Sequence, residues 1–535
     1  MDSWNSDLVL NVVQFLNATD SARLACTASR YYYLVHHYRR LRGPELVASS
    51  SQEPGVTTRQ RTNQDLYHDA FGRMQAPPNL IQAFTSPTST LMEELPALAP
   101  RDCVLLGVSS VNVQSCIDGA LDYKGTAGLM LASLTQAKMH PFLIRDSLDS
   151  LEATFPEEHY PVIFLYACGE GRNILSTLVT DLQNMFPRTT LVGGICTGGH
   201  ISIPIDPSRL AARSNYEHMA TIRALGGEPP KNSIDKNVLK DYIQKLAAER
   251  VYHLHSLDES DGGVFGVALS GEVPVRSVVS RGVTSMTYRG SPQPTTSFFI
   301  EEADYCQPGD EGYMFRGENP YHLVRKIRDE NTGRSYTAKD FLNLYGTPDF
   351  VGLRRPDHDG FRLETPHPLS LSLSGLLFFL DDETSPLTDS NLDLFAIDSD
   401  ACVQDVEMTM DRLRAQTEDE ELLGAIMVSC GARGPSENSM LGKPMVDAKS
   451  FVRVFPDIPC LGFYAGGEVG PMALAGRQSV FRSGSAALQG FTVVFAVIVV
   501  PKVDLGAIAL DDSRENIQDF LKERFPQVNG MATSN

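Results

Sequence analysis

The residues best suited to chemistry fall between Gly424 and Gly470. Cys430, Arg433 and Glu468 occupy two glycine-marked loops, Ser429-Cys430-Gly431-Ala432-Arg433-Gly434 and Gly466-Gly467-Glu468. Each loop follows a short apolar run, Ala425–Val428 or Cys460–Tyr464, of strand rather than helix length. Two strands feeding two loops from one direction place these side chains together, where open α/β sheets present ligands. Arg433 and Glu468 suit the carboxylate and amine of an amino-acid-like ligand, through a bidentate fork and a charge-assisted bond. They suit a mutual ion pair equally well. Tyr464 would wall such a site and Cys430 would stand at its edge. Gly466 and Gly467 would let backbone N–H groups approach an anion.

The elements that position these loops recur earlier in the chain. Val162–Ala167 leads into Cys168-Gly169, a helical run over Ile174–Met185 ends at Phe186-Pro187, and Leu191-Val192 precedes Gly193-Gly194. The later copy runs through Cys430-Gly431, a helix around Ala448–Val454, Phe455-Pro456 and Gly466-Gly467. This ordered recurrence predicts two halves of similar architecture. A thiol at such a strand end is a nucleophile if a helix N-terminus or a cation lowers its pKa, and otherwise a small buried hydrophobe. Arg433 makes Cys430 the stronger candidate of the two.

Other motifs carry less. Gly194-Ile195-Cys196-Thr197-Gly198 has the form of a nucleophile elbow, but Pro204 spoils the helix that an elbow needs next, so Cys196 reads as a buried cysteine in a turn. His253-Leu254-His255 and Asp357-His358-Asp359 each lack a third ligand, so no metal is expected. Phosphate-loop and dinucleotide fingerprints are missing, and no cofactor or catalytic residue is assigned.

At 535 residues the chain exceeds a single core. Its net charge of −20, without a basic block, argues against nucleic acid and anionic membranes as partners. The longest apolar run, Phe491–Val500, is half a bilayer span and stops at Pro501, so it reads as a buried strand. Nine scattered cysteines without a C-x-x-C pair suit reduced thiols in cytoplasm or nucleus, and no secretory leader is evident.

Along the chain, residues 4–42 carry apolar residues at helical spacing in three short runs. Residues 43–100 are rich in Ser, Thr, Gln and Pro and read as a flexible linker with one short helix around Asp65–Phe71. Strand and helix candidates then alternate through 101–290 and 291–503, and 504–535 ends in a helix, Ile517–Arg524, and a tail. The expected fold class is mixed α+β: a three-helix N-terminal unit followed by two consecutive sheet-containing lobes.

Two resemblances add to this. The order of Leu8, Val12, Phe15-Leu16, Asp20, Leu24-Ala25, Ser29-Arg30 and Leu34 resembles an F-box. That implies that Leu8, Val12, Phe15, Leu16, Leu24 and Leu34 grip the Skp-type adaptor of a cullin–RING ubiquitin ligase. The chain departs from the F-box pattern where Trp4-Asn5-Ser6 replaces the opening Leu-Pro and Tyr31–Tyr33 stands where Trp is common. Val104–Gly107, Leu191–Gly194, Gly266–Gly271, Ser429–Gly434 and Gly462–Glu468 resemble FIST domains, with 101–290 similar to a FIST N lobe and 291–503 to a FIST C lobe. FIST domains occur in bacterial sensory proteins, joined in eukaryotes to an F-box, and are proposed to bind small ligands, amino acids among them. Together the resemblances imply a non-catalytic substrate receptor of an SCF-type ligase, whose partners are the adaptor, the cullin scaffold, a protein target and a small ligand. The alternative is a ligand-binding sensor without a ligase role.

Overall fold

The computed structural model describes residues 44–501 except for internal segments, chiefly 52–60, 205–221, 223–251, 286–297, 311–319, 355–359, 367–374, 380–386 and 475–485. The F-box-like unit at 4–42, the C-terminal helix at 517–524 and Asp357-His358-Asp359 lie outside the described residues.

Three units of one design make up most of the fold. The first contains β1 (Glu45–Ser50), α1 (Asn63–Arg73), β2 (Leu80–Thr85), α2 (Leu91–Leu98), β3 (Val104–Ser109), β4 (Val113–Ile117), β5 (Ala120–Asp122) and β6 (Ala127–Ser133). The second contains β7 (Ala137–Ile144), α3 (Leu151–Thr154), β8 (Val162–Cys168), α4 (Gly171–Met185), β9 (Thr190–Ile195), β10 (Gly198–Pro204), β11 (Tyr252–Leu257) and β12 (Gly263–Gly271). The third opens with β13 (Val275–Ser280). After an insertion carrying α5 (Ala338–Tyr345) and α6 (Ser399–Gln416), it continues with β14 (Glu420–Cys430), α7 (Val446–Val454), β15 (Cys460–Ala465), β16 (Glu468–Pro471), β17 (Ala486–Gln489) and β18 (Val493–Pro501).

Each unit centres on a parallel pair joined through a helix, the crossover that parallel strands require. The pairs are β2/β3 around α2, β8/β9 around α4 and β14/β15 around α7, each with six matched rungs. An antiparallel strand flanks each pair, respectively β6, β12 and β18. The fourth strand of each unit then leaves its own sheet. β4 pairs with β15, β16 with β9 and β10 with β3, so every unit closes the sheet of another in a ring. The resulting six-stranded orders are β1-β6-β2-β3-β10-β11, β7-β12-β8-β9-β16-β17 and β13-β18-β14-β15-β4-β5.

One core spans this ring. Phe84 of the first unit and Tyr166 of the second both pack on Phe463 of the third, with ring centroids 6.1 and 5.8 Å apart. The buried Tyr166 hydroxyl accepts from Gln82 Nε2 at 2.6 Å, which satisfies a polar tip inside an apolar centre. A nine-stranded sheet built mainly from the insertion covers a separate apolar cluster around Phe298, Phe341 and Leu394.

These facts correct the expected fold class. Among the described residues strand accounts for 47% and helix for 24%, so they are mostly β rather than mixed α+β. The sheets also interleave residues from 101–290 and 291–503, so two consecutive lobes do not form. The linker expectation fails as well: β1, α1, β2 and α2 all lie within 43–100. There Thr62 and Asp65 form a capping box at the start of α1, and every residue of β2 is buried. The expected Asp65–Phe71 helix does form, within α1.

Candidate functional site

The loops after β14 and β15 meet, as their parallel pairing requires: Cys430 stands opposite Ala465 at the last rung. Arg433 lies in the single helical turn Gly431–Arg433 and is 1% exposed. Its Nε donates to Asp447 Oδ2 at 3.0 Å, Nη2 donates to Asp447 Oδ1, and Nη1 donates to the Phe491 carbonyl at 3.5 Å. Asp447 sits in the first turn of α7, where the helix dipole favours a carboxylate, and its Oδ2 also accepts from Ser429 Oγ at 2.6 Å. Burial opposes the Arg433 charge, but Asp447 outweighs it and holds the guanidinium pKa above its usual value.

Glu468 is fully buried too, and pairs with backbone and hydroxyl rather than with Arg433. Its Oε2 accepts from Thr492 N at 3.1 Å and Thr492 Oγ1 at 3.0 Å, while Oε1 has no hydrogen-bond partner. Burial pushes its carboxyl pKa up to about 8, against the opposing pull of Thr492 and Arg433. Cys430 is pushed up to about 12 by burial and then by the Glu468 carboxylate beside it. Tyr464 is 6% exposed, burial raises its phenol, and its carbonyl accepts from Ser110 Oγ at 2.9 Å.

The glycines do a different job from the one their types suggest. Gly466 N–H donates to the Ile195 carbonyl at 3.0 Å, and the Gly467 carbonyl accepts from Ile195 N–H at 2.9 Å. These bonds join the third unit to the second, and the Gly466 N–H is thereby unavailable to an anion. A Cβ on Gly199 would sit 1.9 Å from Phe265 Cζ, so that glycine serves close packing.

The six residues Cys430, Arg433, Tyr464, Gly466, Gly467 and Glu468 therefore do come together, but the carboxylate fork assigned to Arg433 is already filled by Asp447. The mutual ion pair expected for Arg433 and Glu468 does not form. Sequence reasoning missed Asp447, Thr492 and Gln114. Asp447 carried a signal, an acid at the start of a helical run. Gln114 carried none, because β4 reaches β15 from more than three hundred residues away in the chain, at the rung Gln114–Gly462. Its side chain is fully buried with both amide atoms unpartnered. It lies on the sheet face that carries Tyr464, since opposed residues of antiparallel strands share a face and residues two apart alternate back to it.

A single stretch of the chain contains β14, α7, β15 and β16 together with α6. Residues 387–471 match the FIST C domain. No curated protein matches the chain. The matched segment covers both loops, and Thr492, just before β18, reaches Glu468 from outside it. A cleft of about 620 Å3 lies elsewhere, lined by Asp411, Arg414, Glu420, Leu422, Phe455 and Ile458 at the opposite end of β14. Among the described residues no group of three His, Cys, Asp or Glu side chains could hold a metal, and His253 and His255 merely stack edge-on at 4.8 Å. Cys196 is followed by β10 rather than a helix, so no nucleophile elbow forms.

Proposed function

We propose that this chain is the recognition subunit of an SCF-type ubiquitin ligase, with residues 4–42 binding a Skp-type adaptor and the FIST core recruiting a target protein or sensing a small ligand. The observation that carries the reading is a FIST C match at 387–471 in a chain whose N-terminal residues follow an F-box-like order. Leu16→Asp places an unpaired charge in the adaptor contact, where burial is costly, so adaptor and cullin recovered with the full-length protein should fall to background. Equal recovery with wild type and variant would sink the ligase role.

A ligand-sensing FIST core without a ligase role is the second reading, favoured by the buried polar cluster of the third unit. Asp447 neutralises Arg433, so the cluster suits a polar ligand of low net charge better than a free anion. A melting-temperature screen against neutral amides and zwitterionic amino acids separates the readings. Shifts there, together with an adaptor that fails to bind, would favour the sensor.

A further inference from the structure

Two cysteines outside this cluster stand in an arrangement that none of the functions above uses. Cys168 ends β8, and Cys196 follows the last residue of its parallel neighbour β9. Both lie one residue past the Ala167–Ile195 rung of the parallel pair, and the Cys196 N–H and Sγ both donate to the Ala167 carbonyl, at 2.9 and 3.4 Å. Cys168 sits just before the N-terminus of α4, a 15-residue helix. Arg172, in its first turn, reaches back to the Cys196 carbonyl at 3.3 Å. The Gly263 backbone, opposite Cys168 in the ladder, points at the same sulfur. A thiol, a backbone N–H, a guanidinium and a helix start all favour a thiolate at Cys168 over a thiol. Its pKa is accordingly lowered, chiefly by the Cys196 thiol and against the effect of burial.

We propose that Cys168 and Cys196 are a peroxide-oxidised dithiol, Cys168 being the sulfur attacked first and Cys196 the sulfur that resolves it. The Cys168 thiolate attacks one oxygen of hydrogen peroxide, the O–O bond breaks, and the released hydroxide takes up the thiol proton and leaves as water. The sulfur becomes a sulfenic acid. The Cys196 sulfur then attacks Cys168 sulfur, the S–O bond breaks, and a second water leaves with the Cys196 proton. Two thiols and one hydrogen peroxide give one disulfide and two waters, the sulfurs losing the two electrons that the peroxide gains. Both sulfurs are buried, and an exposed loop at 258–262 packs on Gly169 beside them.

The protein carries its own comparison. Cys116 and Cys460 face each other across β4 and β15 and are also in contact. There burial pushes the Cys460 thiol well up, and no cation acts on it. Arg172 reaches the first pair and no guanidinium acts on Cys460, so the first pair is expected to oxidise before this one.

The test is disulfide mapping of the full-length protein after hydrogen peroxide treatment, thiol blocking and digestion. The expected product is a Cys168–Cys196 linked peptide, two hydrogens lighter than the reduced pair and released by dithiothreitol. The alkylatable fractions of the two cysteines should fall together. Cys196→Ser should leave Cys168 as a sulfenic acid that dimedone captures. Full alkylation of both cysteines in treated wild type, or earlier linkage of Cys116 to Cys460, would overturn the proposal. That readout needs no variant, so a variant that fails to fold does not blunt it.

Discussion

Glu468 is the residue at which burial and charge are most at odds, and the conflict sets a pH dependence. Its carboxyl is held up to about 8 in the folded chain and returns to the ordinary carboxylate range on unfolding. Between those values the folded state keeps a proton that the unfolded chain has lost. The stability contribution of Glu468 is therefore full in acid, falls as pH rises toward about 8, and levels off above it. Glu468→Gln keeps an acceptor for Thr492 and removes the titration. The variant should gain on wild type in melting temperature as pH rises from 5 to about 8, and parallel profiles would contradict the assignment. The residue types here were legible in the sequence, as Cys430, Arg433, Tyr464 and Glu468 do cluster. Their partners were not, because a buried guanidinium takes whichever carboxylate the fold supplies, and here a helix start supplies Asp447.

At the scale of elements, Asp447 ties three pieces together: the end of β14 through Ser429, the turn after it through Arg433, and α7 on which it sits. Removing one member of a buried ion pair leaves the other charged and uncompensated. Asp447→Ala should cost about 3–5 kcal/mol in denaturant unfolding. Replacing Arg433 and Asp447 together with apolar residues should cost much less, because no lone charge remains. A loss below about 1 kcal/mol for the single variant would mean that water reaches the guanidinium. Five strands of the units were visible as apolar runs: β8, β9, β14, β15 and β18 lie where the runs predicted them. β2 was not, since Leu80–Thr85 is buried on both faces, lacks alternation and sits in a Ser- and Pro-rich stretch. Cys430 occupies the sixth rung of its parallel pair, whereas Cys168 lies one residue past the sixth rung of its own.

At the scale of the whole molecule, the described residues form a ring of three units, each completing the sheet of another, beside a separate nine-stranded sheet. A sequence repeat shows similar units but says nothing about strands that cross between them, so two lobes were the natural expectation. The first unit escaped notice because its β1–α1–β2–α2 portion looks like a tether in composition. The decisive measurement is thermal and denaturant unfolding of a fragment that begins at Arg101. It lacks β1 and β2, which are the two neighbours of β6, and β2 is also a neighbour of β3. It also loses Leu66, Ile81, Leu91 and Leu95 from the cluster beneath that sheet. The ring predicts that the fragment has no cooperative transition at the full-length midpoint, whereas a fragment unfolding at that midpoint would contradict it.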